Sequence, residues 1–166
     1  MLSYGQVMRK KLLLLAAVLL LPLLAGCGLK IPADPDGTLE RVAGGTLKAG
    51  ISYNPSWTEA GSGGDPAGTE VQLVRQFAAE QNASVEWVSG GESDLIRQLE
   101  RGELDLVVGG LTKDSPWSKH AALTQPYLET TNAQGDKEQH VMAAPMGENA
   151  FLFELEKFLL NLEALK

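Results

Sequence analysis

Residues 94–112, DLIRQLERGELDLVVGGLT, carry two different periodicities in succession. Leu95, Ile96 and Leu99 recur at helical spacing among polar residues, and Gly102 closes the run as glycine does past helix ends. From Leu104 the stretch LDLVVGG is almost continuously apolar, the mark of a strand buried on both faces. The same alternation stands upstream. LKAGIS from Leu47 reads as a short strand and YNPSW as the loop after it. GSGGDPAG follows as a flexible turn. Thr69 to Gln81 reads as a helix with Val71, Leu73, Val74, Phe77 and Ala78 on one face, and SVEWVS from Ser84 as another strand. Strand, helix, strand, helix, strand builds a mainly parallel α/β sheet with right-handed crossovers and helices on both faces, three layers in all. Ligands on such sheets sit beyond the carboxyl ends of the strands, where YNPSW, SGGES and GGLTKDS converge.

The amino end sets the compartment. Arg9, Lys10 and Lys11 precede the run LLLLAAVLLLPLLA, Leu12 to Ala25, which is shorter than the roughly 20 residues of a spanning helix and is interrupted by Pro22. Residues 1–26 therefore read as a signal peptide. Leu24-Ala25-Gly26-Cys27 resembles the bacterial lipobox, so Cys27, the one cysteine in 166 residues, is expected to be cleaved free and acylated. Acyl chains would then hold the protein to the membrane. Gly28 is not the aspartate associated with inner-membrane retention, so in a cell with two membranes the outer one is favoured. Residues 27–45, with Pro32, Pro35, Asp34 and Asp36, lack periodicity and read as a tether, and 46–166 as one domain. The net charge of −7 includes three basic residues and no acid before Cys27, so the remainder is more acidic still. Such a surface argues against nucleic acid and against adhesion to anionic headgroups.

LKAGISYNPSW, then GTEVQLVRQFA from Gly68, DLIRQLERGELDLVVGGLT and finally LTQPY at Leu123 to Tyr127 resemble, in order and spacing, the first lobe of the family 3 extracellular solute-binding proteins. The resemblance implies one lobe of a type 2 periplasmic-binding fold serving an ABC importer, mostly for polar amino acids. In that family the chain leaves after the PY motif, builds a second lobe and returns by an antiparallel strand to a closing helix. Here only Asn132 to Asp136, with Gly135 among them, separates YLETT from HVMAAP, so a hairpin of Tyr127–Thr131 against His140–Ala144 is expected in the second lobe's place. ENAFLFELEKFLLNLEALK is then the closing helix, with Phe151, Leu155, Phe158, Leu159 and Leu162 facing inward. Phe153 and Leu160 fall partly outside that face, either widening the core contact or marking a partner surface.

The resemblance also implies a ligand loop. In the family T-x-T-x-x-R follows the glycine, and the arginine grips the ligand carboxylate bidentately. Here Thr112 keeps the first hydroxyl, Asp114 replaces the second, and Trp117 stands in the arginine's place. A ligand carboxylate would meet repulsion there. Trp117 is either an apolar plug where a second lobe would dock or a stacking face, with Trp57 as the opposite wall. The candidate ligand residues are thus Tyr53, Trp57, Gly110, Thr112, Asp114 and Trp117, with Glu59 close by, and the favoured solute is a cation or an amine.

Other chemistry finds little support. His120 and His140 are the two histidines and no Cys/His cluster exists, so no metal and no cofactor are expected. Ser115 and Ser118 beside His120 lack any nucleophile elbow, and one lobe lacks half the equipment of the dehydratases built on this fold; no enzyme is expected. Two functions of different class remain. One is solute capture with an ABC permease, or with a second lobe supplied by a partner or second copy; the other is an interaction or structural lipoprotein on the same scaffold.

Overall fold

The computed structural model describes residues 33–60 and 65–163. The expected signal peptide, Cys27 and the start of the tether lie outside the described residues. Elements follow in chain order: α1 Thr38–Val42, β1 Thr46–Ile51, β2 Glu59–Ala60, β3 Pro66–Ala67, α2 Thr69–Glu80, β4 Ser84–Ser89, α3 Glu92–Glu100 and β5 Leu106–Val108. After a 3-10 turn at Pro116–Lys119 come β6 Ala122–Leu123, β7 Leu128–Thr131, β8 Lys137–His140, β9 Ala143–Ala144 and α4 Asn149–Glu163.

The central sheet runs in the order β4-β1-β5-β9-β6. β1 is parallel to β4 along its whole length, Thr46 opposite Ser84 through Ile51 opposite Ser89, and parallel to β5 on its other edge. β9 enters antiparallel between β5 and β6. Strand alternation then sorts the core into two faces. Leu47, Ala49, Ile51, Leu106 and Val108 pack against Val74 and Phe77 of α2 and Phe151, Leu155 and Phe158 of α4. Val107, from the opposite face of β5, packs with Leu95, Ile96 and Leu99 of α3, together with Leu104, Leu111 and Val141. Gly50 lies on this second face because Leu104 presses there; a Cβ would come 2.8 Å from its Cδ1. The three-layer, mainly parallel class expected from the sequence is the observed one.

Three readings change. The stretch expected to be tether up to Gly45 includes helix α1, which buries Thr38 and Val42. Its entry is held from far away: Glu148 accepts from the N–H groups of Asp36, just before the helix (3.0 Å), and of Thr38 (2.9 Å). The hairpin is β7 against β8, Leu128 opposite His140 and Thr131 opposite Lys137, rather than against His140–Ala144. The reason is burial: Val141 to Ala144 are all buried, and Ala143 is drawn into the central sheet opposite Val107. The turn at 132–136 is where the sequence placed it, closed by Asn132 Oδ1 accepting from the amides of Gln134 and Asp136. Lastly, Phe153 and Leu160 do not widen the core, since both are exposed. Among the described residues no helix is long and apolar enough to cross a membrane.

Candidate ligand site

β1, β4 and β5 end at the same side of the sheet, and their loops meet there. A cavity of about 320 Å³ opens at the ends of β1 and β4, walled by Ile51, Ser52, Tyr53, Thr58, Glu59, Pro66, Trp87, Ser89 and Gly90. Tyr53 is 73% exposed, and Trp87 carries the Arg75 guanidinium 5.8 Å above its ring, with Arg75 also donating to the Pro66 carbonyl. Among the described residues, Glu59 is the one charged side chain in that wall.

The loop after β5 is built from beneath. Glu70, the second residue of α2, is completely buried, and its Oε2 accepts from the amides of Gly109 (2.7 Å) and Gly110 (2.8 Å). Its Oε1 accepts from the Tyr127 hydroxyl at 2.5 Å. Burial raises the Glu70 pKa, against the lowering pull of those three donors. Burial and the neighbouring Glu70 push the Tyr127 hydroxyl up as well, which keeps it a donor. Gly110 is obligatory: its φ is +70°, and a Cβ would lie 2.5 Å from Asn54 Nδ2 and 2.6 Å from Trp57 Cδ1. Asn54 Nδ2 donates to the Gly109 carbonyl (2.9 Å), fixing the loop's other side.

His140 lies across the loop from Glu70. It is 2% exposed, stacks on Trp57 with ring centroids 4.0 Å apart, and its Nε2 meets Thr130 Oγ1 at 2.8 Å. Its Nδ1 is buried with no hydrogen-bond partner among the described residues, and the backbone of Gly110 and Leu111 favours its protonation. Burial outweighs them and Glu138, so the pKa is lowered.

The structure thus brings some of the sequence candidates together and separates others. Tyr53 lines the cavity. Trp57 and Gly110 touch each other, and Thr112 bridges backbone to backbone with His140 below them. Asp114 is exposed on the loop. Trp117 is half-buried on the α3 face of the sheet, its indole N–H donating to Glu92 of α3, whereas Trp57 stacks on His140; the two indoles have different partners and neither walls the cavity. Glu70, Tyr127, His140 and Trp87 were not singled out as site residues from the sequence. For Glu70 the signal was present: it heads the apolar face of α2, with Val74, Phe77 and Ala78 one, two and two turns on, where a lone acid needs a buried partner. For His140 nothing local distinguished a buried imidazole from a surface one.

A three-layer lobe with its cavity at the strand ends is a ligand-binding half of the type 2 periplasmic-binding fold. Residues 47–164 match the bacterial extracellular solute-binding proteins, family 3, and the chain belongs to that family. Membership places it in the cell envelope and gives it a solute-binding character. The isolated domain 1 of the arginine-binding protein TmArgBP, in its arginine-bound form, superposes with a TM-score of 0.65 at 23% identity, covering 74% of this chain and 97% of that one. An ancestral cationic amino acid solute-binding protein gives 0.66 at 15% identity over 76% and 94%. By sequence, the chain is 33% identical over 93 residues to membrane-bound lytic murein transglycosylase F of Vibrio cholerae serotype O1, which is 55% of this chain and 17% of the relative. The Vibrio parahaemolyticus enzyme is 31% identical over 110 residues, 65% and 20%. The chain therefore spans no more than a fifth of the length of these curated relatives.

Proposed function

We propose that this lobe captures a small amine- or guanidinium-bearing solute in the cavity at the ends of β1 and β4, and leaves the solute's carboxylate, if it has one, unclamped. The observation that carries this reading is the composition of the cavity wall: Tyr53 and Trp87 offer aromatic rings, Glu59 a counter-charge, and among the described residues no basic side chain lines it. Exposed Asp114 on the adjoining loop adds to the negative field, and Trp117 stands where the family's guanidinium is expected. That an arginine-bound isolated domain 1 exists in the family supports capture by one lobe without a second. The solute is delivered to an ABC permease, and acyl chains on Cys27 hold the lobe in the envelope.

Titration calorimetry with agmatine and arginine tests this, because the pair shares a guanidinium and differs by the carboxylate. Agmatine is expected to bind at least about tenfold more tightly, and free α-amino acids no better than about millimolar, worth only roughly 4 kcal/mol. Micromolar arginine binding with no response to agmatine overturns the reading.

A second reading is favoured by the murein transglycosylase relatives: the lobe serves cell-wall chemistry as a recognition module without itself cleaving murein. Cosedimentation with purified murein sacculi checks it. Retention that agmatine does not displace supports this role over solute transport.

A further inference from the structure

We propose that His140 is a positioning residue of the solute cavity and acts through Trp57: its neutral imidazole, stacked on that indole, clamps the loop after β1 to the β7–β8 hairpin, and protonation of the ring releases the clamp. The inference rests on the solute-binding reading above for what the cavity holds, whereas the clamp rests on contacts made without any ligand.

Neither ring lines the cavity. The loop that carries Trp57 does: Ser52, Tyr53, Thr58 and Glu59 form part of the wall, and Trp57 directly precedes the last two. That loop is tied into one unit. The amides of Trp57 (3.0 Å) and Thr58 (2.8 Å) both donate to the Asn54 carbonyl, the Asn54 amide donates to the Thr58 carbonyl (3.0 Å), and Thr58 Oγ1 donates to the Ser52 carbonyl. Displacement of the indole is therefore passed to the wall. His140 is fixed from several directions. Its carbonyl accepts from the Tyr127 amide (3.1 Å), the amide of the next residue, Val141, donates to the Leu111 carbonyl (2.9 Å), and Nε2 meets Thr130 Oγ1 at 2.8 Å. One side chain thus joins the loop after β1 to the hairpin, with the loop after β5 held against the same residue.

A neutral ring suits this place. With its proton at Nε2, donated to Thr130, the ring leaves Nδ1 as a bare lone pair. A second proton goes to Nδ1, which is buried with no hydrogen-bond partner among the described residues. Burial opposes the charged ring and prevails, lowering its pKa, although Glu138 and the backbone of Gly110 and Leu111 favour the charge. The indole attracts an imidazolium too, but only inside the buried site; relief comes when the ring leaves the stack for water. The other charged groups on the surrounding elements are engaged or exposed. Glu129 on β7 holds Lys137, Lys113 and Asp114 after β5 and Glu59 after β1 are exposed, and Glu70 of α2 is bonded to Gly109, Gly110 and Tyr127. Among the described residues none of these bonds to the imidazole. If solute binds the clamped form, its apparent affinity follows the fraction of neutral His140.

Calorimetry with agmatine from about pH 8 to about pH 5, on the wild type and on His140→Phe, tests this across the range in which imidazoles titrate. The phenyl ring keeps an aromatic contact for Trp57 and takes up no proton. Wild-type affinity, divided by that of the variant, is expected to fall below pH 6.5, approaching about tenfold per pH unit beneath the folded value, the limit for one proton. Glu59 is common to both proteins, so its contribution cancels in the ratio. A ratio that stays constant with pH overturns the proposal. A second measurement needs neither ligand nor variant, and decides the matter even if His140→Phe fails to fold. The Trp57 indole N–H and the amide resonances of Tyr53, Thr58 and Glu59 should move with the same midpoint as the His140 ring protons. Wall resonances that stay in place while His140 titrates overturn the coupling. If agmatine binds neither protein at any pH, the solute reading fails, and the resonances still decide whether His140 positions the wall.

Discussion

Glu70 and His140 sit on opposite sides of one glycine turn, and their pKa values are displaced in opposite senses by the same cause, burial. The consequences for stability are opposite too. A folded-state carboxyl raised above the ordinary 4.5 contributes stability that is complete below that pH and is lost as pH rises through the folded value. An imidazole lowered below the ordinary 6.5 contributes stability above that pH, and loses it as pH falls toward the folded value. Urea denaturation of Glu70→Gln and wild type across this range should therefore show the variant gaining on the wild type as pH rises above about 4.5. For His140→Gln the gain should appear as pH falls below about 6.5. Parallel curves for either pair would show that the group does not titrate differently on folding. Legibility differed between the two residues: an acid on an apolar helix face is a conspicuous anomaly, whereas a histidine at the boundary between a polar and an apolar run is placed by contacts made across the chain with Trp57 and Thr130.

Elements were legible where one periodicity ran long enough to be counted. α2, α3 and α4 fall within a few residues of the stretches read from apolar spacing, and β1, β4 and β5 within the expected strands. α1 was not legible, because five residues span little more than one turn and its first amide, that of Thr38, is satisfied by Glu148, remote in sequence. The split of the returning segment between β8 and β9 was hidden for a similar reason: continuous burial marks a central strand but not the residue where the chain changes sheets. Packing makes a sharp contrast available between α2 and α4. Phe77 of α2 meets Phe151 and Phe158 with centroids 5.8 and 5.6 Å apart, all three rings buried. Phe77→Ala should cost about 3–5 kcal/mol in denaturant unfolding, the range for a buried aromatic. Phe153→Ala, at an exposed position on α4, should change stability by no more than about 0.5 kcal/mol. A large loss at Phe153 would mean that its face is covered, and would return attention to a partner on α4.

At the scale of the molecule, fold and compartment rest on different parts of the chain. The lobe is acidic, which opposes adhesion to an anionic membrane surface. Under the proposed anchoring, attachment falls to Cys27, which lies outside the described residues and is read from Leu24-Ala25-Gly26-Cys27 alone. Each buried methylene of an acyl chain contributes about 0.8 kcal/mol, and one chain holds a protein only marginally where two hold it stably. Replacing the sulfur by a hydroxyl removes the atom that receives the diacylglycerol, so Cys27→Ser should carry no palmitate label after metabolic labelling in a lipoprotein-processing host. Location alone is the weaker measurement: an uncleaved variant keeps the apolar run Leu12 to Ala25 and stays at the bilayer through it. Mass separates the cases, since an unprocessed chain retains residues 1–26. Persistent acyl label on Cys27→Ser refutes lipidation at this residue, and a wild type that is cleaved but never labelled reduces the segment to an ordinary secretory signal.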